Sequence, residues 1–93
     1  MDFSTELLQK ICDCGQRVMT PKETAFYLEL DENELQDEIN SQGTPARKYY
    51  LKGVMNTVYE MRQGLFDAAS AGSPYALTQC KELILKTMTE SQF

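Results

Sequence analysis

The sequence contains no histidine and no tryptophan among its 93 residues, and it has only three cysteines. Without histidine, neither a Ser-His-Asp nor a Cys-His catalytic arrangement can form. No glycine-rich loop of the phosphate-binding or dinucleotide-binding type is present. Carboxylates are abundant, but on helices they are usually solvated surface groups. We therefore expect a protein that is not an enzyme, uses no cofactor and acts by binding.

The three cysteines are Cys12, Cys14 and Cys80, an odd number that argues against a disulfide framework. A closed zinc site requires four Cys or His ligands, and this chain offers three cysteines and no histidine. A metal site is therefore the less favoured alternative. We expect free thiols that are mostly buried, because an unpaired cysteine packs as a small hydrophobic side chain.

The sequence also lacks any apolar run that approaches the ~20 residues required to cross a membrane. Its first six residues contain neither the basic nor the apolar segment of a secretory signal. These absences predict a cytoplasmic protein. A chain of 93 residues makes one domain, or a small domain with an appendage, and buries only a modest fraction of its surface. Self-association is therefore an expected source of additional stability.

Helix-start signals recur along the chain and predict an all-α fold of five amphipathic helices. A cap residue followed by proline, or by glutamate three positions later, is typical of a helix start. The first helix is predicted from about Ser4 to Cys14, and Gly15 is expected to end it. The other start signals are Thr20-Pro21 with Glu23, Asp31 with Glu34, Thr44-Pro45 and Ser73-Pro74.

The last two predicted helices are the longest. Residues 46–71 contain no proline and keep apolar residues at helical spacing, which predicts a helix of about 39 Å at ~1.5 Å per residue. Gly53 and Gly64 within it indicate either close packing or a tolerated weak point. Only Gly72 and Ser73 separate this helix from the next, so the two are predicted to fold back as an antiparallel hairpin.

The segment from Thr20 to about Gln42 has the spacing of a helix-turn-helix. Ala25 is small enough to let the second helix of this pair approach the first. Glu29 occupies the turn position that is commonly glycine, which makes a positive φ less comfortable there. A capped helix pair that serves only as a packing unit is the alternative. The apolar residues predicted to seal the corner are Leu28, Leu30 and Leu35.

Charge divides the chain into two regions. Region 1–43, helix-turn-helix-like, holds three basic and ten acidic side chains, a net charge of −7. Region 44–93, the predicted hairpin and oligomerisation region, holds six basic and four acidic side chains, a net charge of +2. The would-be recognition helix carries five carboxylates, which oppose the phosphate attraction that drives DNA affinity. Better candidates for DNA contact, with solvated surface as their alternative role, are Arg17, Lys22, Arg47, Lys48 and Lys52.

The corner of the predicted hairpin carries a resemblance to a known family. Residues 65–77, Leu-Phe-Asp-Ala-Ala-Ser-Ala-Gly-Ser-Pro-Tyr-Ala-Leu, include the pattern Ala-x-x-Gly-Ser-Pro-x-Ala. Together with the helix-turn-helix pattern before it, this corner resembles the small terminase subunit of tailed bacteriophages over roughly residues 16–88.

The resemblance implies a viral DNA-packaging protein in the cytoplasm of the host cell. Such a subunit assembles into a homo-oligomeric ring, recognises viral double-stranded DNA and regulates the large, ATP-hydrolysing terminase subunit. The hairpin residues would divide between the core of the subunit and its interface with a neighbour. The interface candidates are Leu51, Met55, Val58, Leu65, Leu77 and Ile84.

Two other functions fit the same residues. A small helix-turn-helix transcriptional regulator would bind DNA as a dimer, in a salt-sensitive manner. A structural adaptor or head–tail connector protein would use the helix pair as a protein-interaction surface and would not bind DNA. The acidic helix favours the adaptor over the regulator.

Overall fold

The computed structural model describes residues 3–91, and helices are the only regular secondary structure in that part of the chain. The predicted all-α class is therefore confirmed. Among these residues, no helix combines the length and the apolar character that crossing a membrane requires. The helices are α1 (Thr5–Gln16), α2 (Pro21–Leu28), α3 (Glu32–Asn40), α4 (Pro45–Ser70) and α5 (Pro74–Ser91).

Two compact units make up the chain, Met1–Val58 and Tyr59–Phe93. They meet inside α4, whereas the boundary predicted from the charge pattern, between residues 43 and 44, falls in the α3–α4 connection. The first unit contains α1, α2, α3 and the first half of α4. The second contains the rest of α4 and α5.

The hydrophobic core of the first unit takes residues from all four of its helical segments. Ala25, which was predicted to lie where the two helices of the helix-turn-helix-like pair approach each other, is fully buried. Leu35 is also fully buried. Leu28 and Leu30 are half-buried against this core. The buried cluster consists of Leu8, Ile11, Ala25, Leu35, Ile39 and Ala46.

Side-chain caps begin the helices where the sequence predicted them. Thr20 and Glu23 form a complete capping box, in which the Glu23 N–H donates to Thr20 Oγ1 at 3.1 Å and the Thr20 N–H donates to Glu23 Oε1 at 2.9 Å. The Asp31 carboxylate accepts the N–H of Glu34 at 2.9 Å. Each cap satisfies main-chain donors that the first turn of a helix leaves without partners.

The C-termini of α1, α2 and α4 share one hydrogen-bond pattern, in which a left-handed residue ends the helix and the following N–H bonds to the carbonyl five residues earlier. Glycine fills the left-handed position only after α4, where Gly72 has a φ of +98°. The expectation that Gly15 ends α1 is wrong, because the helix continues to Gln16. Val18, with a φ of +56°, takes the left-handed position instead, and Glu29 does so after α2 with a φ of +58°.

Two glycines allow α1 and α4 to cross closely. A Cβ atom at Gly53 would overlap the main-chain carbonyl of Cys12, and one at Gly15 would overlap the carbonyl of Tyr50. Gly53 therefore marks close packing. At Gly64 an added Cβ would meet open space, so this glycine has no packing role within the chain.

Side chains of α4 also hold the end of α1 in place. The Tyr50 hydroxyl donates to the Met19 carbonyl at 2.6 Å, and the Thr57 hydroxyl donates to the Gln16 carbonyl. The Gln16 carbonyl is one that the helix end leaves without an intrahelical donor, and Met19 lies in the turn that follows α1. The face of α4 that carries Tyr50, Gly53 and Thr57 is therefore fixed against α1.

Candidate nucleic-acid and assembly surfaces

Three of the five residues predicted to contact DNA form hydrogen bonds or an ion pair within the chain. Arg17 Nη1 donates to the Asp13 carbonyl at 3.0 Å, within the last turns of α1. Arg47 Nη1 donates to the Ile39 carbonyl at 2.9 Å and so satisfies an acceptor near the end of α3. Lys22 Nζ lies 3.9 Å from a Glu32 carboxylate oxygen, a long and solvent-exposed ion pair. All three cations therefore have partners within the first unit.

Lys48 and Lys52 differ from the other three. Both side chains are exposed, and neither makes a hydrogen bond or ion pair with any residue in the described range 3–91. The spacing of one helical turn places them side by side on α4. They are therefore the two of the five candidates whose side chains have no partner among residues 3–91.

Two exposed apolar side chains share the face of α4 with these lysines. Leu51 is 39% exposed and Met55 is 54% exposed, and both lie three or four residues from a lysine. This face lies opposite the one that packs against α1 through Tyr50, Gly53 and Thr57. We call it the basic stripe: Lys48, Leu51, Lys52 and Met55.

Helix α3 presents a surface of opposite charge. None of its nine residues is basic. Leu35 and Ile39 are buried in the core, while Glu34 and Asp37 are exposed and point away from them. Spacing of three residues places these two carboxylates next to each other on the helix surface. We call Glu34 and Asp37 the acidic face of α3.

Most of the large apolar side chains of the second unit are exposed. Its buried side chains within residues 59–90 are those of Ala76 and Cys80, both small. By contrast, eight large apolar residues of this unit have exposed fractions between 41% and 73%. We call them the exposed apolar set: Tyr59, Met61, Phe66, Tyr75, Leu77, Ile84, Leu85 and Met88.

The six predicted interface residues are not equally accessible. Leu51, Met55, Leu77 and Ile84 are exposed, whereas Val58 and Leu65 are half-buried. Sequence reasoning missed other members of the exposed apolar set, among them Tyr59, Phe66, Tyr75 and Leu85. These positions fall outside the narrow inward stripe from which the six were chosen. The sequence did contain a signal for these positions, because large apolar residues occur on several faces of these helices and not only along one stripe.

Exposed aromatic residues also occur in the first unit. Phe26 is 88% exposed and Tyr27 is 70% exposed, on the side of α2 away from the buried Ala25. They line a shallow groove of about 440 Å³ together with Met19 and charged residues of α2 and α3.

The cysteines are free and buried, as predicted. Burial raises the pKa of the Cys14 thiol, while interactions with the Thr24 hydroxyl and the Arg17 charge partly offset that effect. Because the thiolate is the nucleophilic form, this thiol is expected to react slowly. Thr24 is itself fully buried, and its hydroxyl makes no hydrogen bond of normal geometry within the described chain. Across residues 3–91 no three Cys, Asp or Glu side chains are grouped so as to hold a metal ion.

Comparison with known proteins does not assign this chain to a family. No family model, no curated protein and no solved structure matches it. A functional proposal therefore depends on the surfaces described above, above all the basic stripe and the exposed apolar set.

Proposed function

We propose that this protein is a self-assembling viral DNA-packaging subunit of the small-terminase type. In this role it binds viral double-stranded DNA and regulates a large packaging ATPase subunit. The observation that carries the proposal is the exposed apolar set on the second unit, where residues 59–90 bury only two small side chains. A single exposed leucine requires no explanation, but an element whose large apolar residues are mostly exposed is typical of an interface.

The energy available from covering this surface is large compared with the stability of a small protein. Full burial of one Leu, Ile, Met or Phe side chain contributes roughly 1.5–3 kcal/mol relative to exposure. Covering the exposed halves of a few such residues in each subunit would contribute several kcal/mol. Whole domains are stable by only about 5–15 kcal/mol. Self-association is therefore expected to contribute a large share of the stability of the second unit.

The connection between α4 and α5 supports the hairpin that the resemblance implies. The Ser73 N–H donates to the Ala68 carbonyl at 3.1 Å, and the Gly72 N–H donates to the Ala69 carbonyl at 3.0 Å. Ser73 also caps α5, since its hydroxyl oxygen accepts the Ala76 N–H at 3.3 Å. One short segment thus ends one helix and starts the next, which favours antiparallel neighbours.

For the DNA contact we favour Lys48 and Lys52 over the helix that a helix-turn-helix would use for recognition. The fully buried Ala25 and Leu35 support a helix-turn-helix-like packing of α2 on α3. The acidic face of α3, however, would repel phosphates. The two lysines of the basic stripe are exposed and have no partner among residues 3–91, so they are available to bind DNA.

The first experiment is the native mass of the purified protein, by light scattering at low and moderate salt. We expect a closed oligomer that persists at moderate salt, because apolar burial is not screened. Leu77→Asp and Ile84→Asp should each reduce it to smaller species while the circular dichroism spectrum stays helical. Thr78→Asp, an exposed change of the same charge on α5, serves as the control and should remain assembled. A wild-type protein that is monomeric at every concentration would contradict the proposal.

The second experiment measures binding of a viral DNA duplex by fluorescence anisotropy as a function of salt. Each phosphate contact contributes about 0.9 to the slope of log K against log salt. The double variant Lys48→Gln/Lys52→Gln should lower that slope by about 2. The matched control is Lys81→Gln/Lys86→Gln, which removes the same charge from exposed positions on α5. Equal effects of the two double variants would refute a DNA contact at the basic stripe.

A structural adaptor or head–tail connector protein is the second candidate. The exposed carboxylates Glu34 and Asp37 favour it, as does the commitment of Arg17 and Arg47 to main-chain carbonyls. This candidate predicts assembly without DNA binding at moderate salt. A wild-type protein that assembles but shows no salt-dependent anisotropy change would shift the assignment to the adaptor.

A further inference from the structure

The basic stripe is not covered by any of the residues that the structure describes. All four of its residues are exposed, and the opposite face of α4 is already fixed against α1. Two unpaired cations beside two exposed apolar side chains form a surface that suits an anionic partner with some apolar area. The proposed DNA contact uses this surface, but it leaves open what covers the stripe when no DNA is present.

The acidic face of α3 complements the stripe in charge. Glu34 and Asp37 are one helical turn apart, and so are Lys48 and Lys52. Side chains at such spacings lie about 5–6 Å apart at their Cβ atoms. Two carboxylates on one helix can therefore face two lysines on another at the same time. No basic residue within α3 would oppose this contact.

The α3 of the same chain cannot supply this contact, because it is fixed elsewhere. Leu35 and Ile39 are buried in the core of the first unit. Arg47, which directly precedes Lys48, holds the end of α3 by its bond to the Ile39 carbonyl. The stripe stays exposed with α3 in this position. An α3 that covers the stripe must therefore come from a second copy.

We infer that the basic stripe of one copy binds the acidic face of α3 of a second copy, and that DNA phosphates compete with this contact for Lys48 and Lys52. The inference rests on the self-association and the DNA contact of the proposed function. The two surfaces differ, so the contact joins copies head to tail, as rings and filaments require. The carboxylates then act as an internal competitor that DNA must displace.

The test uses Glu34→Gln/Asp37→Asn in the full chain. Neither change touches the Asp31 side chain that caps α3. The matched control is Glu60→Gln/Glu82→Gln, which removes two exposed carboxylates from the second unit and gives the same net charge. Thermal melts check that both variants fold. Self-association is measured by sedimentation equilibrium, and affinity for a DNA duplex by fluorescence anisotropy.

We expect the α3 variant to self-associate at least threefold more weakly than the control and to bind DNA at least fivefold more tightly. Lys48→Gln/Lys52→Gln should weaken self-association by a similar factor. Combining the α3 and lysine changes should weaken it little further, since both remove the same contact. The inference is overturned if the α3 variant and its control behave alike, since bulk charge would then explain both.

The outcomes separate this inference from the proposed function. If the wild type assembles and binds DNA but the α3 and lysine changes leave self-association unaltered, the competition is wrong and the packaging role stands. If the wild type assembles without binding DNA, the competition is overturned together with the DNA contact. If the wild type does not assemble, both this inference and the proposed function fail.

Discussion

Val18 is the residue whose backbone is least suited to its place. It is branched at Cβ, yet it adopts a φ of +56° at the end of α1. For an L-residue the left-handed conformation costs about 1–2 kcal/mol, and branching makes it rarer still. Its side chain is 58% exposed, so little burial compensates for that cost. The surrounding hydrogen bonds, including that from the Tyr50 hydroxyl to the Met19 carbonyl, hold this corner in place.

Val18→Gly is therefore expected to stabilise the protein. Removing the left-handed strain should raise the free energy of unfolding by about 0.5–1 kcal/mol, after the entropic cost of a glycine. Urea denaturation monitored by circular dichroism measures this change. Val18→Ala keeps a Cβ atom in the left-handed conformation and serves as the control, with no comparable gain expected. A glycine variant less stable than wild type would show that the Val18 side chain contributes more than its exposure indicates.

The starts and ends of the helices show where local sequence reasoning succeeded and where it failed. The caps Thr20 and Asp31 were predictable, because each depends on side chains only three residues away. The end of α1 was not predictable in this way. Gly15 has the composition of a helix stop, but it is required inside the helix, where α4 approaches too closely for any side chain. A long-range contact fixed the position of the glycine and left Val18 to end the helix.

At the level of elements, the crossing of α1 and α4 holds the first unit together. Gly15 and Gly53 bring the two backbones into contact, and Tyr50 and Thr57 then reach the carbonyls at the end of α1. The crossing also determines which face of α4 remains outside. Because Gly53 faces α1, Lys52 and Met55 lie on the exposed side, and this arrangement produces the basic stripe.

Alanine substitutions at the two glycines of α4 should have opposite effects. Gly53→Ala places a methyl group against the Cys12 carbonyl and should lower the free energy of unfolding by about 1–3 kcal/mol, as overpacking does. Gly64→Ala is the matched control in the same helix. It meets open space and should raise stability by up to ~1 kcal/mol through helix propensity alone. Thermal melts of both variants give the comparison, and equal shifts would contradict the close crossing.

The candidate surfaces were only partly visible in the sequence. Charge counting pointed away from the acidic helix and identified Arg47, Lys48 and Lys52 at the start of the long helix, together with Arg17 and Lys22. Which of them have partners depends on contacts such as that between Arg47 and the Ile39 carbonyl, eight residues apart across a turn. A one-dimensional pattern does not contain that geometry. The same limit applies to the exposed apolar set, since spacing shows which residues share a face but not whether that face is covered.

At the scale of the whole molecule, the two units differ in how much they bury. The first unit has a core of aliphatic residues drawn from four helical segments. Within residues 59–90 the second unit buries an alanine and a cysteine and leaves eight large apolar residues exposed. A small domain that cannot bury enough of its own surface commonly gains stability by oligomerisation. The second unit is thus expected to depend on neighbouring copies, while the first is expected to fold by its own contacts.

This difference predicts that protein concentration stabilises the two units unequally. Binding of a partner stabilises a folded state by an amount that grows with the logarithm of partner concentration. Amide hydrogen exchange in α5 should therefore slow more strongly than exchange in α1 as the protein is concentrated. Mass spectrometry of the exchanged protein, at dilute and at high concentration, resolves the two helices. Ile84→Asp should abolish the concentration dependence in α5, and Thr78→Asp should preserve it. If α5 exchanges fast at every concentration, the second unit stays locally open even in the concentrated protein. If α5 exchanges slowly at every concentration, the second unit is stable without a neighbouring copy.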